Sequence, residues 1–512
     1  MFSDFIIIAY KNGLWGLEVC SLRTNTLIRT SANMATEEDL KLFATNYMIL
    51  KPEEVGVRGL FQVLFSRKTA KKRRYFQTQR EDNLNMVDGW LLFISILLQK
   101  VLQLVAKPMA FFGDVLEMGL NLLSSNGGRF STLFLNIIRG KVVVPDKSSP
   151  TYLSMIGHLD GRVDLDHNVK RDDPRYYEAL SLLAAKIAYE NNAYIKHVVE
   201  DIWKMELLVA NDFWNDYQKK CTTQAFVMRE KNGDSETIIV SFRGTEPFNA
   251  DDWCSDFDLS WFMLPDVAGK MHAGFMKAMG LQKNRGWPKE IEEDKSHPPT
   301  AYYHIRGMLR DLLHTNSRAR FIVTGHSLGG ALAIIFPSIL AMHDESWMLE
   351  RLDSVYTFGQ PRVGDGMFGE FVLNRFKEHG VRYARFVYSN DMVPRVPFDD
   401  SGRLFRHFGT CIFYNCIYSG DIVAEVPFKN YFSLFGIIPM HLIAIWEIIR
   451  GFIYGYTKGP MYREGWLLFS MRLFGLVVPG IPPHIPQDYN NATRLGSLDA
   501  RLNALAEKER KG

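Results

Sequence analysis

Ser327 stands where a serine can serve as a nucleophile. It is the centre of Gly325-His326-Ser327-Leu328-Gly329, with Arg320-Phe-Ile-Val shortly before it and the apolar run Ala331–Phe336 after it. The first run reads as a buried strand, the second as a buried helix or further sheet. A strand-to-helix turn of this form strains the serine backbone and lifts its Oγ above the sheet. Gly325 and Gly329 would let strand and helix approach, and Gly330 would let the helix sit nearer still. The competing reading is a structural turn serine. His326, next to Ser327 on the same turn, is expected to pack or orient the turn and not to act as a base.

A serine hydroxyl needs a base, and the base needs a third group to hold it. Behind such an elbow the acid and then the histidine follow in chain order. Asp391, in Ser389-Asn-Asp-Met-Val-Pro-Arg-Val-Pro397, comes just past the apolar run Arg385-Phe-Val-Tyr388. Asp365, in a glycine-tight loop after another strand, is its rival. Three histidines follow: His407, His441 and His484. Prolines on both sides of His484 (Pro482, Pro483, Pro486) fix its backbone and make a rigid presenting loop. His407 could be an ordinary satisfied histidine, and His441 lies in an apolar segment. An attacked carbonyl also needs donors for its oxyanion. The Leu328 N–H is one candidate. Thr245, after the strand-like 237–242 and Arg243-Gly244, is the other, by its N–H and its Oγ; its alternative is a turn or cap residue.

Other chemistries find less support. Asp251 and Asp252 are adjacent acids without a spaced His, Cys or Asp set to complete a metal site, so no metal is expected. There is no Walker motif and no dinucleotide fingerprint, so no cofactor is expected. The formal charge is +3 over 512 residues, and no zinc-finger, KH or RRM pattern occurs; no nucleic-acid partner is expected. The five cysteines are sparse and odd in number, which fits a reducing compartment better than a disulfide framework. The start, Met1-Phe-Ser-Asp-Phe-Ile-Ile-Ile, has too short an apolar run for a secretory signal.

The elements that must position these residues begin near Arg171. Helical periodicity starts at Tyr176, and Thr223–Thr245 reads as strand, Asn-Gly turn, strand. Segments from Asp353 and Val381 begin as strands, with the helical Met367–Gly380 between them. Such alternation predicts an α/β fold with a mostly parallel or mixed central sheet, plus an apolar helical region at the N-terminal side. The expected division is 1–170, 171–495 with an apolar insertion at about 425–483, and a charged tail at 496–512 read as a weak helix.

Gly89–Leu123 has no charge-free stretch long enough to span a bilayer. Its polar residues (Gln99, Lys100, Gln103, Lys107, Asp114, Glu117 and Asn121) fall within about 100° of a helical wheel. Ser95 lies just beyond one edge. A helix apolar over the rest of its circumference is buried in a core or lies in a membrane interface. Pro108 is expected to kink or divide it. The basic run Arg67–Arg74 just before it favours the interface, since each Lys or Arg near an anionic surface adds about 1 kcal/mol. The stretches 431–446 and 465–483 are also apolar and broken by Gly or Pro, which suggests more interfacial surface.

Taken together, SFRGTE, DDW (251–253), HAGF (272–275), TGHSLGGALA, FGQPRVGD and SNDMVPRVP resemble the class 3, fungal-lipase-like family of α/β-hydrolases. The likeness covers about residues 175–400. It implies Ser327 as nucleophile, Asp391 as acid, and Thr245 with Leu328 at the oxyanion. PPHIPQDY resembles the family's C-terminal base, implying His484. The chain departs from the family in the 93 residues that separate Asp391 from His484. The resemblance places a lid in 248–275, where Trp253, Phe257, Leu259, Trp261, Phe262 and Leu264 stand among several Asp.

The N-terminal apolar region and IPPHIPQDYNNATRLG further resemble plant oil-body triacylglycerol lipases. That implies water-insoluble acylglycerol substrates (triacylglycerol, with diacylglycerol and monoacylglycerol). It also implies the cytoplasmic side of a lipid-droplet surface, with the endoplasmic reticulum membrane as the other placement. A phospholipase A1 or galactolipase would share the same ester chemistry. A catalytically idle membrane-bound scaffold is the reading from another class.

Overall fold

The computed structural model describes residues 6–11, 14–19, 43–65, 75–80, 83, 89–166, 169–233, 235–267, 269–292, 295–397, 404–431 and 434–498. The basic run Arg67–Arg74 and the tail from 499 onward lie outside them.

Among the described residues, nine strands make the central sheet, and they lie in the order of the sequence. They are β1 (Glu206–Asn215), β2 (Lys220–Asn232), β3 (Ser235–Phe242), β4 (Arg320–His326), β5 (Leu352–Phe358), β6 (Arg382–Tyr388), β7 (Thr410–Tyr414), β8 (Ser419–Val423) and β9 (Ser497–Leu498). The β3–β7 pairs are parallel; β1–β2–β3 and β7–β8 are antiparallel. The mixed, largely parallel sheet therefore agrees with the α/β expectation. Strand β9 pairs with β8 through Ser497 and Leu498, where the sequence suggested the charged tail.

Helices cover both faces. Those that bear on the site are α1 (Gly89–Ser125), α2 (Phe130–Ile138), α3 (Met155–Leu159), α4 (Tyr176–Ile187), α5 (Ala250–Phe257), α6 (Leu328–Met342), α7 (Gly366–His379), α8 (Leu434–Thr457), α9 (Trp466–Phe474) and α10 (Pro486–Leu495). Alternate strand residues face opposite sides. Ile238, Val240, Phe321 and Val323 join the core under α6, whereas Ile239 and Ile322 join the core under α4 and α10. A small four-stranded sheet joins Asn46–Leu50 and Phe76–Thr78 to Trp261–Met263 and Met271–His272, so the N-terminal region is tied directly to the segment that follows α5.

Two readings of the apolar segments change. Helix α1 runs through Pro108 undivided. Its polar stripe divides: the two ends face the protein, while Gln103, Lys107 and Asp114 between them stay exposed. Ser95 donates to the Phe257 carbonyl at 2.6 Å, Asn121 bridges to the Leu153 backbone, and Gln99 is buried. Its apolar flank points outward instead, with Leu104 80% and Phe111 70% exposed. The polar groups at those ends turn inward because the protein supplies specific partners for them, which leaves Leu104 and Phe111 outside. Helix α8 continues past Trp446 to Thr457 because its charged residues Glu447 and Arg450 are buried against the body. Both α1 and α8 are long and apolar enough to cross a membrane by length and composition.

Candidate active site

Strand β4 ends at His326, and Ser327 follows with φ 59°, ψ −132°, a left-handed conformation that non-glycine residues seldom adopt. The Ser327 N–H donates to the Phe358 carbonyl at 2.8 Å, which pins the turn to the end of β5. A side chain at Gly325 would strike the Gly329 carbonyl, and one at Gly329 would strike the Phe242 carbonyl. Both positions therefore require the absence of a Cβ, as the close approach of strand and helix predicted.

Asp391 sits just past β6, and its N–H donates to the Tyr388 carbonyl at 3.0 Å. His484 ends a short helical turn begun at Pro482, directly before α10. Across 157 residues, His484 Nε2 lies 2.8 Å from Ser327 Oγ; across 93, its Nδ1 lies 2.8 Å from Asp391 Oδ2. A carboxylate can only accept, so the ring proton belongs on Nδ1, and Nε2 is left to accept the serine proton. Gly359 is needed beside them: a Cβ there would come within 3.0 Å of His484 Cε1 and 2.9 Å of Asp391 Oδ2.

The other candidates are placed elsewhere. Asp365 caps α7 by accepting from the Phe368 N–H at 2.9 Å. His407 Nε2 is bound to the Pro394 carbonyl, and His441 Nδ1 to the Ile437 carbonyl one turn back on α8. Thr245 is buried beyond β3, and its Oγ1 donates to Asp256 Oδ2 at 3.4 Å. Leu328 opens α6, where the helix itself offers its N–H no acceptor. Asp251 and Asp252 lie on α5, and the described residues hold no group of His, Cys, Asp and Glu suited to a metal.

Several supporting contacts were not assigned from sequence. Asp391 Oδ2 also accepts from the Tyr489 hydroxyl at 2.5 Å, while Oδ1 accepts from the Val393 N–H. Burial, then the Asp391 charge, push the Tyr489 hydroxyl well above its ordinary range. Arg395, buried, donates to the carbonyls of Asp391 and Ser389 and so fixes the acid's loop. His326 Nε2 lies 2.8 Å from the His484 carbonyl and its Nδ1 2.8 Å from the Tyr189 hydroxyl. It thereby steadies the backbone of His484, and burial holds it neutral by pushing its pKa well below the usual histidine value.

The site is covered. Ser327 is 1% and Asp391 0% exposed, and the Trp253 ring on α5 stands edge-on to the His484 ring, centroids 6.3 Å apart. Trp253 and Phe257 share one apolar cluster with Leu91, Ile94 and Leu98 of α1, Met392 beside Asp391, and Ile481 before His484. Burial raises the pKa of Asp252 on α5 to about 6 and that of Asp256 well above the usual carboxylate range.

The strained elbow on a largely parallel sheet, with the acid delivered from a later strand end and the histidine from a turn beyond it, defines an α/β-hydrolase. A family model for class 3 lipases matches residues 239–401. Triacylglycerol lipase OBL1 of Arabidopsis thaliana is 41% identical over 494 residues, covering 88% of this chain and 95% of that one. OBL1 of Nicotiana tabacum is 38% identical over 478 residues, covering 80% and 83%. The lipase of Rhizomucor miehei is 33% identical over 177 residues, covering 34% and 41%. The chain belongs to the class 3, fungal-lipase-like family of α/β-hydrolases and is a serine-type carboxylic ester hydrolase. Its likeness to the plant proteins extends over most of its length, well beyond the part it shares with the fungal enzyme.

Proposed function

We propose that the protein hydrolyses triacylglycerol, and with it diacylglycerol and monoacylglycerol, at a lipid surface through an acyl-enzyme. The observation that carries the chemistry is the continuous line from Ser327 Oγ through His484 to Asp391 Oδ2, with 2.8 Å at each step. Ser327 Oγ attacks the ester carbonyl carbon while His484 Nε2 takes its proton. The Leu328 and Thr245 N–H groups hold the oxyanion, and Asp391 holds the imidazolium. Collapse of the tetrahedral intermediate breaks the ester C–O bond, and His484 returns the proton to the departing alcohol. Water then repeats the cycle, releasing the fatty acid and restoring Ser327.

The substrate reading rests on the likeness to the two plant lipases. It is tested by side-by-side turnover of dispersed triacylglycerol and phosphatidylcholine; release of fatty acid from the phospholipid alone would make the protein a phospholipase. Labelling by a phosphonate ester tests the nucleophile, and Ser327→Ala should abolish it.

Placement on the surface of a lipid droplet, cytoplasmic side, is supported by the outward apolar flank of α1 and by α2, where Phe130, Phe134 and Ile138 are exposed. Burial of one such side chain in lipid is worth roughly 1.5 to 3 kcal/mol. Because α1 also roofs the site, its deletion would bare the apolar cluster beneath it. The cleaner test replaces Leu104, Phe111 and Phe112 together by Ser. The folded variant should leave the droplet fraction; if it stays on droplets, this flank is not the anchor. Retention in the endoplasmic reticulum fraction by the parent protein would favour that membrane instead.

A further inference from the structure

The 93 residues between Asp391 and His484 contain a buried charge network that reaches both. Arg450, on α8, is 0% exposed. Its Nη1 donates to the Tyr388 hydroxyl and, at 2.6 Å, to the Cys416 carbonyl; its Nη2 donates to Asp488 Oδ1 at 3.1 Å. Tyr388 is the last residue of β6, and its carbonyl accepts the Asp391 N–H. Asp488 lies in the first turn of α10, one turn past His484. One guanidinium therefore grips the strand that ends at the acid and the helix that follows the histidine.

The grip is reinforced from both sides. Asp488 Oδ1 also takes Arg472 Nη2 from α9 at 2.9 Å and the Tyr418 hydroxyl at 2.8 Å. Glu447, one turn before Arg450, accepts from the Tyr388 hydroxyl at 3.1 Å and from Arg472 Nη1 at 3.2 Å. Paired charges so deeply buried are a costly way to gain stability alone, since apolar residues of like volume often do as well. What they provide here is fixed geometry between β6 and α10, in addition to the Tyr388 N–H bond to the Tyr489 hydroxyl and the Met392 N–H bond to the Gly480 carbonyl.

We propose that Arg450 is a positioning residue of the reaction: it sets the distance between Asp391 and His484 by tying Tyr388 to Asp488. The proposal rests on Asp391 and His484 being the catalytic acid and base. It also gives the insertion a purpose, since the helix whose outer face bears Ile438, Leu442 and Phe452 exposed carries the strut on its inner face.

The test uses the full chain with Arg450→Lys and Tyr388→Phe. Lysine keeps the charge but, as a point donor, cannot span three acceptors with the geometry of a guanidinium. Tyr388→Phe leaves the Arg450–Asp488 bond and cuts the link to the acid's strand. The expected result for Arg450→Lys is kcat lower by roughly ten- to a hundredfold, the scale of a slight misplacement of reacting groups. KM should stay within about twofold, since ground-state binding is untouched. Phosphonate labelling of Ser327 should slow by the same factor as kcat. The acidic limb of kcat/KM should move to lower pH, because a more distant Asp391 holds the imidazolium less firmly. Tyr388→Phe should change each quantity in the same direction by less, and it decides the matter if Arg450→Lys does not fold. A lower Tm with kcat, labelling rate and acidic limb all at parent values per folded molecule would overturn the proposal. Undiminished labelling in Ser327→Ala would instead refute the catalytic trio itself.

Discussion

The Tyr489 hydroxyl and the His484 ring share one oxygen of Asp391: both the 2.5 Å bond and the 2.8 Å bond end on Oδ2. A phenol that donates to a carboxylate spreads its charge and weakens its hold on an imidazolium. Tyr489→Phe keeps the ring and removes that donor. Hydrogen bonds to charged groups contribute about 1.5 to 3 kcal/mol, so a fall in kcat of about tenfold is expected through looser placement of Asp391. The sign for pH follows from charge: Oδ2, relieved of one donor, presents more negative charge to the imidazolium, which outweighs the looser placement, and the acidic limb of kcat/KM moves up. A pH–rate profile with an unmoved or lowered limb would contradict this arrangement.

The three histidines after Asp391 have different surroundings and should respond differently. His484→Ala removes the one imidazole in reach of Ser327 Oγ and should bring turnover close to the Ser327→Ala background. His407 binds a carbonyl in the loop after Asp391, so His407→Ala should lower stability more than kcat. Among the described residues His441 is bonded within its own helical turn, and His441→Ala should be close to neutral. Turnover on a soluble ester, measured with purified folded variants, ranks them; a His484→Ala variant as active as the parent would remove the proposed base.

Trp253 covers His484, and α1 covers Trp253. Ser95 ties the two helices through the Phe257 carbonyl. Trp253→Ala should open a path for small substrates in water. Turnover of a soluble short-chain ester should then rise severalfold while turnover of emulsified triacylglycerol falls. The ratio of the two rates is the measurement, and a ratio equal to the parent's would mean that this ring does not obstruct the site.

How much of this could be read from the sequence depended on whether a residue's role was local. The elbow at Ser327 was legible because strand, glycines and helix are contiguous. Asp391 was legible because it ends an apolar run, and His484 because prolines flank it. The inward turn of the two ends of the α1 stripe was not legible, since a polar stripe looks the same whether water or a buried carbonyl satisfies it. Ser95, Gln99 and Asn121 proved to face the protein. Nor was the end of α8: Glu447 and Arg450 read as the close of an apolar segment, because their partners Tyr388, Arg472 and Asp488 lie 25 to 62 residues away. Two opposite charges one helical turn apart inside a long apolar run were the available signal.

Glu190 supplies a pH dependence that does not involve the reaction. It is 3% exposed and accepts from the Ser154 N–H and hydroxyl, both at 2.7 Å, where residues 153–155 pass between α1 and α4. Burial pushes its carboxyl up from 4.5 to about 7; the Ser154 bonds and Lys186 pull the other way, and Glu117 adds to the rise. The folded state thus binds this proton more tightly than the unfolded chain does. Its contribution to stability is fully present below about 4.5 and is lost as pH rises through about 7. Glu190→Gln keeps the shape and an acceptor but has no proton to lose. Tm of the parent, measured at intervals from pH 5 to 7.5, should fall relative to that of Glu190→Gln, with the gap widening upward through the window. Lys186, whose pKa burial lowers to about 8, changes charge mainly above this range and is common to both proteins. Parallel Tm curves for the two proteins across the window would show that Glu190 stays charged in the folded state and that its burial is fully compensated.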